Sequence, residues 1–257
     1  MAQPSVPPRP TFARRLRPLL RFSLRAFLIA FTALALALGW YSNRVWNQRQ
    51  VVRMIHKRGG QITYDFEQAS GRGPRFLQRE RSPLSRWLGV DWFHEVVSVD
   101  LNGSAPATEI SDEELRQVSQ LSGLRRLVLR DATQVTSEGI KHLGQATSLE
   151  WLYLHRPGIR AADLRPLRDL KHLSYLKLHT PIGDEGLAEL AKFPALIELE
   201  MPVDGITPEG ARRIKESESI KLLTLTGLPP ERTSRSADYL GLGPSEMASG
   251  GRVWEFP

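Results

Sequence analysis

Between residues 96 and 227 the apolar positions recur in one arrangement, L-x-x-L-x-L. It is read at Leu124, Leu127 and Leu129; Leu149, Leu152 and Leu154; Leu173, Leu176 and Leu178; Leu196, Leu199 and Met201; and Ile220, Leu223 and Leu225, with Val96, Val99 and Leu101 opening the series. The last apolar position advances by 28, 25, 24, 23 and 24 residues. Alternation of this kind predicts one short strand per unit, because successive strand side chains point to opposite faces. A second pattern follows each strand. Ile110-Ser111-Asp112, Val135-Thr136-Ser137-Glu138, Ile182-Gly183-Asp184-Glu185 and Ile206-Thr207-Pro208-Glu209 read as helix starts. Ser111 and Thr136 suit the N-cap, the acids suit the positive end of the helix dipole, and Pro208 suits the first turn. Apolar residues then return along one helical face, as at Leu164, Leu167 and Leu170 or Leu187 and Leu190. The third unit carries Arg160-Ala161-Ala162-Asp163 at this place, so its helix start is left open.

Ahead of the repeats the pattern changes. Residues 26–43 hold no charge and read as a membrane-spanning helix, with Trp40 and Tyr41 at the end where aromatic rings favour the interface. At 1.5 Å per residue they give roughly 27 Å of helix. A cleaved signal peptide is the alternative, since Ala35-Leu36-Ala37 has the small-x-small form. The apolar run continues through Leu38 to Tyr41, which favours a retained anchor. Residues 44–95 are expected to form a juxtamembrane helix with Val45, Val51, Val52 and Ile55 on it, stopped by Gly59-Gly60, then a strand over 61–66 and a loop over 69–86. Together these make an N-terminal cap. Residues 1–25 are a basic, Pro- and Arg-rich tail expected to be disordered. Residues 228–257 are a C-terminal tail or cap, with Val253-Trp254-Glu255-Phe256 placed to dock on the last repeat.

One short strand and one short helix cannot bury both of their faces, so neighbouring units must stack their leucines into a continuous core. The predicted fold is α/β: a leucine-rich-repeat solenoid of about five to six repeats over 96–227, with a curved parallel sheet and short helices on the convex side. The observed spacing lies within the ~20–29 residues of such repeats, whereas a doubly wound sheet needs about 30 or more per unit. Units written T-[SD]-E-G-[LI]-x-x-L and then L-x-x-L-x-L resemble bacterial, planctomycete-type, membrane-anchored leucine-rich-repeat proteins. In those proteins an anchor, a segment like Gly59-Gly60-Gln61-Ile62-Thr63-Tyr64 and a short solenoid occur together. The resemblance spans roughly residues 26–227 and speaks to fold more than to any partner.

Charge refines this picture. The net charge is +7, yet residues 1–58 carry eleven of the 35 Lys and Arg and no acid, leaving 24 bases against all 28 acids beyond them. The folded part is therefore mildly acidic, which argues against nucleic-acid binding. Six arginines precede the span and five basic residues follow it closely. The bias places the protein as single-pass in the cell membrane with the solenoid on the non-cytoplasmic side. The chain has no cysteine, which excludes disulfides, thiolate nucleophiles and Cys-containing zinc sites.

Candidate function falls on the strand residues between the leucines. Three columns are expected to be exposed: Ser98, Arg126, Trp151, Tyr175, Glu198, Leu222; then Asp100, Val128, Tyr153, Lys177, Glu200, Thr224; then Asn102, Arg130, His155, His179, Pro202, Thr226. Aromatic residues and arginines anchor protein interfaces, so Arg126, Arg130, Trp151, Tyr153, His155, Tyr175, Lys177, His179, Glu198 and Glu200 are the expected partner-binding residues. The alternative is that the rings merely shield the sheet or lie under the C-terminal tail. His155 and His179 can approach each other, but two ligands do not make a dedicated metal site. No phosphate loop, H-E-x-x-H or G-x-S-x-G motif is present, so no residue is assigned a catalytic role and no cofactor is expected. The expected function is non-catalytic protein–protein recognition, with a cell-envelope polymer or a scaffolding role as alternatives.

Overall fold

The computed structural model describes residues 24–70, 89–101, 110–130, 132–227, 246–248 and 251–255. The expectations for the basic tail before residue 24, for most of the 69–86 loop and for Asn102 fall outside them. The chain divides into two compact units, 1–44 and 45–257. The first holds most of a long apolar helix, α1 (Leu24–Lys57). Its span window has a mean hydropathy of 1.7 with no residue buried by protein, so it is long and apolar enough to cross a membrane. The expected span and juxtamembrane helix are one uninterrupted helix of 34 residues. No proline interrupts it, and apolar residues continue past Arg44.

In the second unit the last three turns of α1 bury Val45, Gln48, Val51 and Ile55. Gln48 was not expected there. Its amide donates to the Asp91 carboxylate at 3.1 Å and to the His94 carbonyl at 2.9 Å. Asp91 also accepts from the Tyr64 hydroxyl at 3.0 Å. The helix ends in a left-handed turn at Gly59 (φ 72°), where the Gly60 amide reaches back to the Ile55 carbonyl and the Gly59 amide to that of His56. Arg58 then binds Glu114 through two nitrogens at 2.7 and 3.2 Å, tying this end to the first helix beyond it.

Strand β1 (Gln61–Tyr64) is shorter than expected, because Asp65 already opens a helix, α2 (Asp65–Ser70). β1 pairs antiparallel with β2 (Val96–Leu101). From β2 the sheet is parallel and in sequence order through β3 (Arg126–Leu129), β4 (Trp151–Leu154), β5 (Tyr175–Leu178), β6 (Glu198–Pro202) and β7 (Leu222–Thr226). Beyond β7, the antiparallel pair β9 (Gly251–Glu255) and β8 (Glu246–Ala248) completes the nine strands found among the described residues. The C-terminal segment thus docks on the last parallel strand as expected, by backbone pairing of Leu223 with Trp254.

Each parallel connection carries one short helix: α3 (Asp112–Ser119), α4 (Ser137–Leu143), α5 (Ala161–Leu164), α6 (Gly183–Leu190) and α7 (Pro208–Lys215). The third unit departs from the others, since α5 passes into a 3-10 turn over Arg165–Asp169 containing Pro166. The three-residue spacing of Leu164, Leu167 and Leu170 matches that tighter turn, and all three are buried. Strand positions Val99, Leu127, Leu152, Leu176 and Leu199 are fully buried in one register, forming a single apolar core with the helices. Each such side chain contributes about 1.5–3 kcal/mol.

Polar contacts between successive helix starts add to the leucines. The Asp112 carboxylate accepts from the Thr136 amide at 2.8 Å and from its hydroxyl at 2.5 Å, while Thr136 caps α4 through the Glu138 amide. Asp184 holds Thr207 in the same way, by its amide and hydroxyl. In the irregular unit Asp163 takes over. Nearly buried, it accepts from Ser137 of the preceding unit at 2.5 Å, and from the Arg160 amide and Arg156 guanidinium at 2.9 Å each. Burial pushes its carboxyl up, but these three donors bring it below its usual value. The acids at helix starts therefore serve the neighbouring unit as well as their own dipole. A glycine follows each of the two threonines by three residues for the same reason. A Cβ on Gly139 would collide with the Asp112 carboxylate, and one on Gly210 with that of Asp184.

Gly139→Ala and Gly210→Ala are expected to lower stability by about 1–3 kcal/mol each, since the added methyl displaces the carboxylate from its threonine. The exposed substitution Lys171→Ala is expected to stay within about 0.5 kcal/mol. Thermal unfolding followed by circular dichroism checks this; equal midpoints for all three variants would contradict it.

Candidate functional site on the open face of the sheet

Pairing of the strands sets the open face, opposite the buried leucines. Ser98, Arg126, Trp151, Tyr175, Glu198 and Leu222 stand in one row across six strands, and Asp100, Val128, Tyr153, Lys177, Glu200 and Thr224 in the next. Both rows match the expected columns. Three members of the second row differ in exposure, however, because Val128, Glu200 and Thr224 are buried. Val128 is short and stands between Asp100 and the larger Tyr153. Thr224 lies on β7, which is flanked on its far side by β9. Glu200 is drawn down by its own hydrogen bonds.

Those bonds join the two rows. The Tyr175 hydroxyl donates to Glu200 Oε2 at 2.8 Å, and Lys177 Nζ binds Glu200 Oε1 at 2.5 Å. Burial, the bond to Glu200 and that residue's charge push the Tyr175 phenol well up, so it remains a donor across the physiological range. The Tyr175 ring stacks on Trp151 with centroids 4.8 Å apart and planes within 8°. On the other side of Trp151 the Arg126 guanidinium lies 4.1 Å from the ring centroid. The sequence Arg126–Trp151–Tyr175 is thus a cation and two rings in face-to-face order, a geometry in which cation–π attraction and ring stacking each contribute about 0.5–1.5 kcal/mol. Tyr153 forms a second centre, with Arg130 at 5.3 Å and Lys177 at 5.7 Å from its ring.

His155 and His179 also meet, edge to face, with ring centroids 4.7 Å apart. His179 reaches Tyr153 as well, at 6.4 Å. Among the described residues no group of three or more His, Cys, Asp or Glu side chains is placed to hold a metal ion. All ten expected residues therefore lie on one continuous surface, from Arg126 and Arg130 on the β3 side to Glu198 and Glu200 on β6.

Glu198 is distinct within this surface. Its neighbour Glu200 is held by Tyr175 and Lys177, whereas Glu198 has neither an ion pair nor a hydrogen bond to its side chain among the described residues. Burial, and then the charge of Glu200, raise its carboxyl above the usual value.

Sequence reasoning missed a cleft of about 480 Å³ at the N-terminal ends of the strands, where Glu95, Arg125, Glu150 and His172 form part of the wall. Arg125 and Glu150 approach to 3.6 Å there. Arg125 and Glu150 stand directly after the first leucine of L-x-x-L-x-L, and Glu95 and His172 directly before that position in their units; the columns expected to be exposed lie further along the strands and leave all four out. No protein-family model matches the chain, and no curated protein matches it.

Glu198 is expected to titrate above the usual carboxylate range, because of its burial and the charge of Glu200. A carboxyl whose folded pKa is raised adds stability that is full below its unfolded pKa and is lost as pH rises through the folded one. Glu200→Gln removes the like charge and is expected to lower the Glu198 pKa part of the way, with the burial effect remaining. Carbon-detected NMR of the glutamate carboxyls measures it; an unchanged midpoint in the variant would show that Glu200 does not act on Glu198.

Proposed function

We propose that the chain is a membrane-anchored leucine-rich-repeat protein whose concave face binds a protein partner without catalysing a reaction. The solenoid reading is supported by the near-constant spacing, by parallel strands paired in one register, and by one short helix in each connection. The anchor reading rests on the apolar α1, with a cleaved signal sequence as its competitor. The bias of basic residues supports a cytoplasmic N-terminus and a solenoid on the other side.

The observation that carries binding is the half-exposed Trp151–Tyr175 stack, braced by Arg126 and joined to Glu200. Rings held this firmly lose little freedom on docking, and Trp, Tyr and Arg dominate the energy of protein interfaces. At Trp151 the same geometry disfavours stacking of a sugar ring from an envelope polymer. One face of Trp151 is taken by Arg126 and the other by Tyr175.

Replacing Trp151 and Tyr175 together by Ala is expected to weaken capture of the partner by about a thousandfold, since two anchors of about 2 kcal/mol each are lost. The measurement compares envelope proteins retained by the full chain and by the double variant, each immobilised in detergent and each shown to be folded by circular dichroism. Equal retention would overturn the proposal.

A further inference from the structure

The open face is polarised. In its first row the order across the sheet is Arg126, Trp151, Tyr175, Glu198, Leu222. The Arg126 and Arg130 guanidinia sit against rings, not carboxylates, and no acid among the described residues pairs with either. Both are exposed. At the other end Glu198 has no cation beside it, because Lys177 is directed to Glu200. The Tyr175 face turned away from Trp151 lies toward Glu198, and the half-buried Leu222 stands on its far side. An aromatic face beside a carboxylate, with Leu222 as an apolar neighbour beyond it, suits the head and stem of a lysine or arginine side chain.

Arg126 on β3 and Glu198 on β6 are three strand spacings apart, about 14 Å at ~4.8 Å each. An extended polypeptide advances about 3.4 Å per residue, so that span corresponds to roughly four residues. We propose that the face takes an extended polypeptide segment with opposite charges about four residues apart: an acidic side chain at Arg126, and a lysine or arginine between Tyr175 and Glu198. The inference rests on the binding-face reading above and specifies the chemistry of its partner. A uniformly anionic polymer satisfies the Arg126 end and is repelled at Glu198. A uniformly basic segment has the converse defect. The raised carboxyl of Glu198 fits the same picture, since an incoming cation would offset the cost of its burial and the charge of Glu200.

The test is selection of a random dodecapeptide library on the full chain in detergent micelles, against Glu198→Lys and against the Trp151→Ala, Tyr175→Ala double variant. The expected result is enrichment, on the natural chain, of an acid and a base three to five residues apart. Glu198→Lys, at a half-exposed position, is expected to bind those peptides about tenfold or more weakly and to enrich two acids at that separation instead. Peptides that lack the charge pair, but still depend on Trp151 and Tyr175, would overturn this inference and leave the binding face standing. Unchanged selection by Glu198→Lys would overturn it too. So would preferential capture of an anionic polysaccharide, or no peptide enriched over the double variant.

Discussion

A strand of four to six residues joined to a helix of eight or fewer cannot shield its own leucines, and the whole arrangement of this protein follows from that shortfall. Each unit borrows the faces of its neighbours. Leu127, Leu152, Leu176 and Leu199 lie side by side without exposed surface because the pairing keeps every strand in the same phase. A slip of one residue would turn an entire strand's leucines to solvent and its polar residues inward, so register is strongly enforced. Asp112, Asp163 and Asp184 extend the same dependence to the helix side, each binding a hydroxyl of the adjacent unit. The core and the polar links thus impose one periodicity from two sides.

That enforced phase is what composes the open face. Trp151 and Tyr175 are 24 residues apart in sequence and belong to different units, yet they stack because the leucines beside them are in step. No loop has to order for the rings to meet. The aromatic pair, the Arg126 guanidinium and the Tyr175–Glu200 bond are held by residues that are themselves fixed by the core, so the surface is largely preformed.

Much of this was legible because the strand period and the repeat period are both regular. The leucine frame gives the row membership of Arg126, Trp151, Tyr175 and Glu198 without further information. What was not legible depends on contacts that no period encodes. Val128, Glu200 and Thr224 occupy outward positions, but their exposure is decided by side chains one strand away or by β9. Asp163 sits in the unit whose helix start departs from the pattern, so its role as the meeting point of Ser137, Arg156 and Arg160 has no motif behind it. The continuity of α1 through Arg44 was hidden by a change in polarity that marks a change of surroundings, with no break in the backbone.

The two flanks of the parallel sheet are both antiparallel, β1 beside β2 and β9 beside β7. Such ends are built differently from the interior, where the parallel strands share one register even though the unit holding Asp163 differs on its helix side. A tandem duplication of one interior unit could therefore be spliced between existing ones without altering either flank. It would lengthen the open face by a single strand and move its two charged ends one step apart. Recombination of whole units is consequently a route by which the open face could change in length while the core is inherited intact.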